Sequence, residues 1–233
     1  MKRPICLFAL IAATFAQPFP DARATDPNTL GWMQGAPPPR DKIIRYDDQS
    51  FFRFPQTRWT FSNWNQIFPA NRIERAGAVS PLPRALRADL EGVRFTPLNG
   101  THEMTWRESL DANYTDGIVV LQRGRIVYEY YTGALNEHRR HIAFSVTKSF
   151  FGVLYGMLVA EGKLDPSAPV AKYIPELKNS GFADATLDQV ADMTSGLNYT
   201  EDYADPKSNW HDHKFATAFF PRPPGYSGAR DAY

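Results

Sequence analysis

The segment from Ser145 to about Glu161 is apolar around nearly its whole circumference, with Phe150, Phe151, Val153, Leu154, Met157 and Val159 leaving no continuous polar stripe. A helix of that composition has to be covered on more than one side. The spacing therefore predicts a buried central helix and a sheet broad enough to lie over it. Gly162 followed by Lys163 is placed to stop the helix. Pro166 and Pro169 turn the next stretch into a loop.

Strands are expected just before it. Gly117–Gln122 and Arg125–Tyr131 are β-branched and aromatic runs separated only by Arg123-Gly124, the length of a two-residue hairpin turn. A shorter helix is expected over Leu187–Met193. Thr186 is its N-cap, Gln189 completes a capping box, and Gly196 follows its end. Ala85–Leu90 reads as a short helix after Pro81 and Pro83. Upstream, Ala36-Pro37-Pro38-Pro39 is a stiff linker. Residues 51–68 hold a dense set of rings (Phe51, Phe52, Phe54, Trp59, Phe61, Trp64 and Phe68), read as an irregular N-terminal extension packing onto the main body. The 19 prolines cluster before residue 100 and after residue 220, which makes both ends loop-rich.

The charge balance narrows the partners. A formal net charge of +1 gives no electrostatic argument for a nucleic acid or an anionic membrane. The N-terminus has the layout of a secretory leader: Lys2 and Arg3, an apolar run from Ile5 to Ala16, and the small-x-small site Ala22-Arg23-Ala24. The run is too short for the ~20 apolar residues of a membrane span. Cleavage after Ala24 would leave no membrane anchor and a periplasmic or secreted protein. It would also remove Cys6, the only cysteine, and with it any thiol nucleophile, cysteine-ligated zinc or disulfide. His211-Asp212-His213 is read as solvated surface, so neither a metal nor another cofactor is expected. The expected organisation is a leader over 1–24, the extension over 25–115 and the N-terminal part of a further domain over 116–233.

The chemistry-bearing candidate is Ser145-Val146-Thr147-Lys148, an S-x-x-K at the start of the apolar helix. Positions i and i+3 share a helix face, so Ser145 Oγ and Lys148 Nζ can meet. A serine hydroxyl needs a base to become a nucleophile, and an ammonium cannot serve. Freeing the lysine of its proton near neutral pH requires a bias of about 4–5 kcal/mol against the charged form. Burial in the helix and the positive end of the helix dipole both push that way. The same dipole favours an oxyanion on the attacked carbonyl. From spacing alone, the pair could equally be an N-cap and a first-turn charge.

The surrounding residues carry a resemblance. Arg139-Arg140-His141-Ile142-Ala143-Phe144 leading into Ser145-Val146-Thr147-Lys148 after a hairpin resembles the S-x-x-K region of class C β-lactamases and their esterase, peptidase and amidase relatives, the penicillin-binding superfamily. Gly162-Lys163-Leu164-Asp165 and Val170–Leu177 resemble the loop after that helix. Thr186–Leu197, ending Thr194-Ser195-Gly196-Leu197, resembles the next helix and turn. The loop Leu197–Pro206 is most similar to the 6-aminohexanoate-dimer hydrolase branch. The resemblance covers about 116–206. It implies an α/β (α+β) fold of β-lactamase/transpeptidase type, an antiparallel sheet with a buried S-x-x-K helix. It also implies a hydrolase forming an acyl-enzyme on Ser145 from a small-molecule amide or ester, with Lys148 as activating partner. In that branch a loop tyrosine hydrogen-bonds the substrate amide, and Tyr203, with Glu201 nearby, is the candidate for it.

Two family features have no counterpart here: a Y-x-N motif, since nothing follows Tyr233, and a K-T-G-like edge strand. One hairpin is also marginal as a sheet. A truncated gene product with an incomplete domain is therefore expected. Three functions remain: an amide or ester hydrolase, a β-lactamase or D-alanyl-D-alanine carboxypeptidase, and an inactive remnant that only binds. Oligomeric state and substrate are not legible.

Overall fold

The structure is a computed structural model in which residues 20–228 are described. The expected leader lies outside the described residues except for residues 20–24, and Tyr233 lies outside them too. The helices are α1 (Pro27–Leu30), α2 (Thr57–Thr60), α3 (Trp106–Ala112), α4 (Thr147–Ala160), α5 (Leu187–Ala191) and α6 (Trp210–Ala216). The strands are β1 (Arg94–Phe95), β2 (Met104–Thr105), β3 (Gly117–Gln122) and β4 (Arg125–Tyr131), joined by 3-10 turns and loops. Among the described residues no helix is long and apolar enough to cross a membrane.

The strands form two separate antiparallel pairs, β1–β2 and β3–β4. The β3–β4 hairpin turns through Arg123 and Gly124, both left-handed at φ 52° and 74°. That is the primed geometry whose twist matches the strands it joins. A bulge interrupts the pairing: Val120 pairs Tyr128 and Leu121 pairs Ile126, leaving Val127 as the extra residue. Of the expected helix over Ala85–Leu90 only the end forms, as a 3-10 turn over Ala88–Gly92. Residues 83–87 instead run extended along the open edge of β4, where Ala85 N–H donates to Ile126 C=O, Arg87 N–H to Val127 C=O, and Ile126 N–H to Pro83 C=O. An unpaired edge offers those partners, and they outweigh a weak local helix preference. Arg84 reinforces the arrangement through Glu129 and Glu137.

The apolar segment is helical as expected, but it is not buried. Its first turn is a 3-10 turn over Phe144–Val146, and none of the residues of α4 is buried. Phe150 and Phe151 are 72% and 66% exposed. The reason is the sheet: among the described residues the strands form two separate two-stranded pairs, too narrow a face to cover a helix apolar on all sides. The helix ends where its glycine stands. Gly162 is left-handed at φ 69°. Its N–H reaches Val159 C=O and that of Lys163 reaches Leu158 C=O, a Schellman closure.

The Thr186 capping box is present, with Thr186 Oγ1 accepting from Gln189 N–H and Gln189 Oε1 from Thr186 N–H. The helix it opens stops two residues early, at Ala191, and Met193 turns left-handed. Tyr155 ties α4 to α5 by donating to Asp188 Oδ1 at 2.6 Å. That bond pushes the Tyr155 hydroxyl up to about 12.

The N-terminal segment is a core in its own right. Ile44, Phe51 and Trp59 form its buried centre, and Trp32, Tyr46, Trp64, Phe68 and Phe220 pack around them. The rings thus pack on one another as much as on the rest of the chain. Arg58, 5% exposed, joins this segment to the hairpin by an ion pair to Asp116 at 2.6 Å, and also donates to Thr25 Oγ1 and Ala22 C=O. Tyr114 OH donates to Pro20 C=O and Asn28 Nδ2 to Gly133 C=O, so residues 20–30 lie against the same region. Burial pushes the Asp116 carboxyl up, against the pull of Arg58.

Candidate active site

The 3-10 turn Phe144–Val146 delivers Ser145 to the N-terminal end of α4, and the first turn of α4 carries Lys148. Lys148 Nζ lies 2.8 Å from Ser145 Oγ and donates to it. The one-turn spacing read from the sequence therefore brings hydroxyl and amine into hydrogen-bond contact. The burial expected for Lys148 does not occur, because both side chains are exposed. The cause is the uncovered helix: among the described residues no sheet lies over α4.

Ser145 is held from behind. Phe144 has φ 42°, a left-handed conformation rare for a bulky residue. Its ring packs edge-on against Phe61 at 5.1 Å and Trp64 at 5.9 Å. Two residues upstream, Ile142 N–H donates to Phe61 C=O at 2.8 Å. The aromatic segment thus fixes the backbone that presents the nucleophile. Phe144→Ala keeps the strained backbone and removes the ring that holds it. It is expected to slow covalent labelling of Ser145 by about tenfold, measured against Phe144→Leu as the conservative control.

Ser145 and Lys148 open onto a cavity of about 920 Å³ that Glu201 and Tyr203 also line. Tyr203 is 65% exposed. Its OH donates to Glu201 Oε2 at 3.3 Å, and its ring meets Trp210 edge-on at 5.2 Å. Partial burial and the Glu201 charge hold its hydroxyl above the usual tyrosine value. All three candidates from the sequence therefore share one cavity.

Sequence reasoning missed most of the wall. Phe52, Phe61, Trp64 and Phe68 come from the N-terminal segment, and Phe219 and Phe220 from beyond α6. The density of rings over 51–68 was a signal for packing, and nothing local tied it to Ser145. His213, on α6, also lines the cavity and contacts the rings of Tyr199 and Trp210. His211 engages Asp205 C=O and Lys214 Nζ. Among the described residues no cluster of three His, Cys, Asp or Glu side chains could hold a metal.

The arrangement agrees with what the chain is similar to. A family model described as Beta-lactamase matches residues 109–233. A 6-aminohexanoate-dimer hydrolase from Paenarthrobacter ureafaciens is 29% identical over 195 residues, covering 84% of this chain and 43% of that protein. A solved structure from Bacillus anthracis, described as "Putative 6-aminohexanoate-dimer hydrolase", superposes with a TM-score of 0.70 at 27% identity, covering 82% of this chain and 49% of that one. The chain spans less than half the length of each of these two relatives. The fold is of β-lactamase/transpeptidase type, mixing helices with small antiparallel sheets. Since the family model takes in more than half of the residues, including the hairpin, the S-x-x-K turn and the loop of Tyr203, the chain belongs to the beta-lactamase family.

Proposed function

We propose that this chain carries the nucleophilic half of a serine hydrolase that cleaves amide or ester bonds in a small molecule through an acyl-enzyme on Ser145. The observation that carries the reading is the 2.8 Å contact between Lys148 Nζ and Ser145 Oγ at the N-terminal end of α4. For attack the bond has to run the other way: an uncharged Nζ accepts the hydroxyl proton as Oγ adds to the carbonyl carbon. The helix N-terminus and the Ser145 N–H favour the oxyanion that forms. The proton then goes to the leaving amine or alkoxide, and water releases the acyl group. Tyr203 OH, in the same cavity, is the proposed hydrogen-bonding group for the scissile amide. The similarity to 6-aminohexanoate-dimer hydrolases supports a linear amide as substrate. The reaction as written uses no cofactor. Lys2, Arg3 and the apolar run after them support export to a periplasm-like space.

The test is labelling with a fluorophosphonate, followed by peptide mass analysis. A single adduct on the peptide holding Ser145, absent in Ser145→Ala, is expected. A labelled penicillin run in parallel separates the β-lactam-directed alternative, which would label the same serine. An adduct elsewhere, or none, would refute the nucleophile assignment.

A further inference from the structure

We propose that residues 20–24 are a permanent part of the folded protein and that the leader is cut upstream of them, at the Ala16–Gln17 bond, in place of the Ala24–Thr25 bond that Ala22-Arg23-Ala24 alone selects. The inference rests on the export reading and adds the processing site to it. It is independent of the chemistry at Ser145.

The residues just before Thr25 are built into the fold. Tyr114 OH donates to Pro20 C=O at 2.7 Å, and the Tyr114 ring meets Phe54 edge-on at 4.7 Å. Asp21 closes a turn. Its Oδ1 accepts from Arg23 N–H at 2.8 Å and Ala24 N–H at 2.9 Å, and its C=O accepts from Thr25 N–H at 3.1 Å. The N–H groups of Ala24 and Arg23 hold the Asp21 carboxyl below its ordinary value. Thr25, 2% exposed, also donates through Oγ1 to Asp21 C=O at 3.0 Å. Buried Arg58 donates through Nη1 to both Ala22 C=O and Thr25 Oγ1.

A cut after Ala24 would undo this arrangement. It removes the Ala22 acceptor of a buried guanidinium and the Asp21 acceptor of a buried threonine. An orphaned buried donor costs free energy. The cut also leaves a free ammonium on Thr25, a residue in hydrogen-bond contact with Arg58, so two positive groups would share one buried place. Asp116 already accepts there from Arg58 Nε and Nη2 through Oδ1. Tolerance of a truncation follows from the burial and hydrogen bonding of the affected backbone, and both count against this one.

The sequence offers a second site. Thr14-Phe15-Ala16 is also small-x-small, and the apolar stretch before it, Ile5–Ala13, has nine residues, within the roughly 7–15 of a leader core. Water adds across the Ala16–Gln17 peptide bond under a leader peptidase, leaving a carboxylate on Ala16 and an amine on Gln17. Cys6 is lost at either site, so the mature chain has no thiol in both cases.

The experiment expresses the full chain in a bacterial host with a periplasm and determines the first residue of the exported protein by N-terminal sequencing and intact mass. A start at Gln17 is expected. Any other start, Thr25 above all, would overturn the proposal while leaving export intact. An unprocessed chain retained in the cytoplasm would overturn the export reading along with it. Chains made directly from Gln17 and from Thr25 are then compared in urea. The Thr25 chain is expected to have an unfolding equilibrium constant at least about tenfold larger, or not to fold. Equal stability of the two would show that residues 20–24 are dispensable and would overturn the proposal. The first residue of the exported protein decides alone if neither chain gives an unfolding transition.

Discussion

Replacing Lys148 with alanine is expected to slow acylation of Ser145 by about 10²–10⁴-fold, the span associated with loss of a positioned general base. The amine stands 2.8 Å from Oγ, and the exposed face of α4 offers no second base at that distance among the described hydrogen-bond partners of Ser145. Water or buffer would then have to take the proton. The check is the second-order rate constant for fluorophosphonate labelling, compared with Lys148→Arg. Arginine keeps a positive charge and a donor but does not deprotonate, so it should behave like alanine. Recovery of activity by arginine would mean that the lysine acts as a charge and not as a base.

The second large effect concerns stability. Asp116→Ala removes the partner of a guanidinium that is 5% exposed. Breaking a buried pair in this way costs about 3–5 kcal/mol, because the remaining charge is stranded. Urea unfolding should show that loss, with Thr25, which Arg58 also holds, released along with Asp116. Replacing both partners, Arg58→Met with Asp116→Leu, should return much of the stability. The pH behaviour is set by the sign of the shift. Burial raises the Asp116 carboxyl above its ordinary 3.8 in the folded chain. Its favourable contribution is therefore present below that ordinary value and fades as pH climbs through the raised one. At neutral pH the pair specifies how the N-terminal segment docks more than it adds net stability. A loss under about 1 kcal/mol for Asp116→Ala would show that solvent reaches the pair.

What the sequence made legible was local. Arg123-Gly124 names its own turn because both residues must be left-handed. Gly162 closes α4, and Thr186 with Gln189 opens α5, each through bonds between near neighbours. The capping box of α3 was equally readable, since Thr105 and Glu108 exchange the same pair of bonds, yet it lies in a stretch with little hydrophobic periodicity. The Ser145–Lys148 contact was legible for the same reason, being one helical turn.

Long-range consequences were not. The helix pattern announces a need for cover but not whether a sheet supplies it, so α4 reads as buried and is exposed. The extended run over 83–87 is decided by the free edge of β4, about 40 residues away in sequence. The aromatic wall joins residues 52–68 to residues 219–220, a pairing that periodicity does not encode. The candidate site was therefore visible in its reacting pair and hidden in its walls.

The pH dependence of Ser145 acylation, measured side by side in the wild type and Lys148→Ala, bears most directly on the reacting pair. If an uncharged Nζ takes the hydroxyl proton, the wild-type rate constant rises with pH as one group deprotonates, and that rise is missing from Lys148→Ala. The same pH profile in both proteins, differing by less than about twofold, would contradict the serine–lysine mechanism.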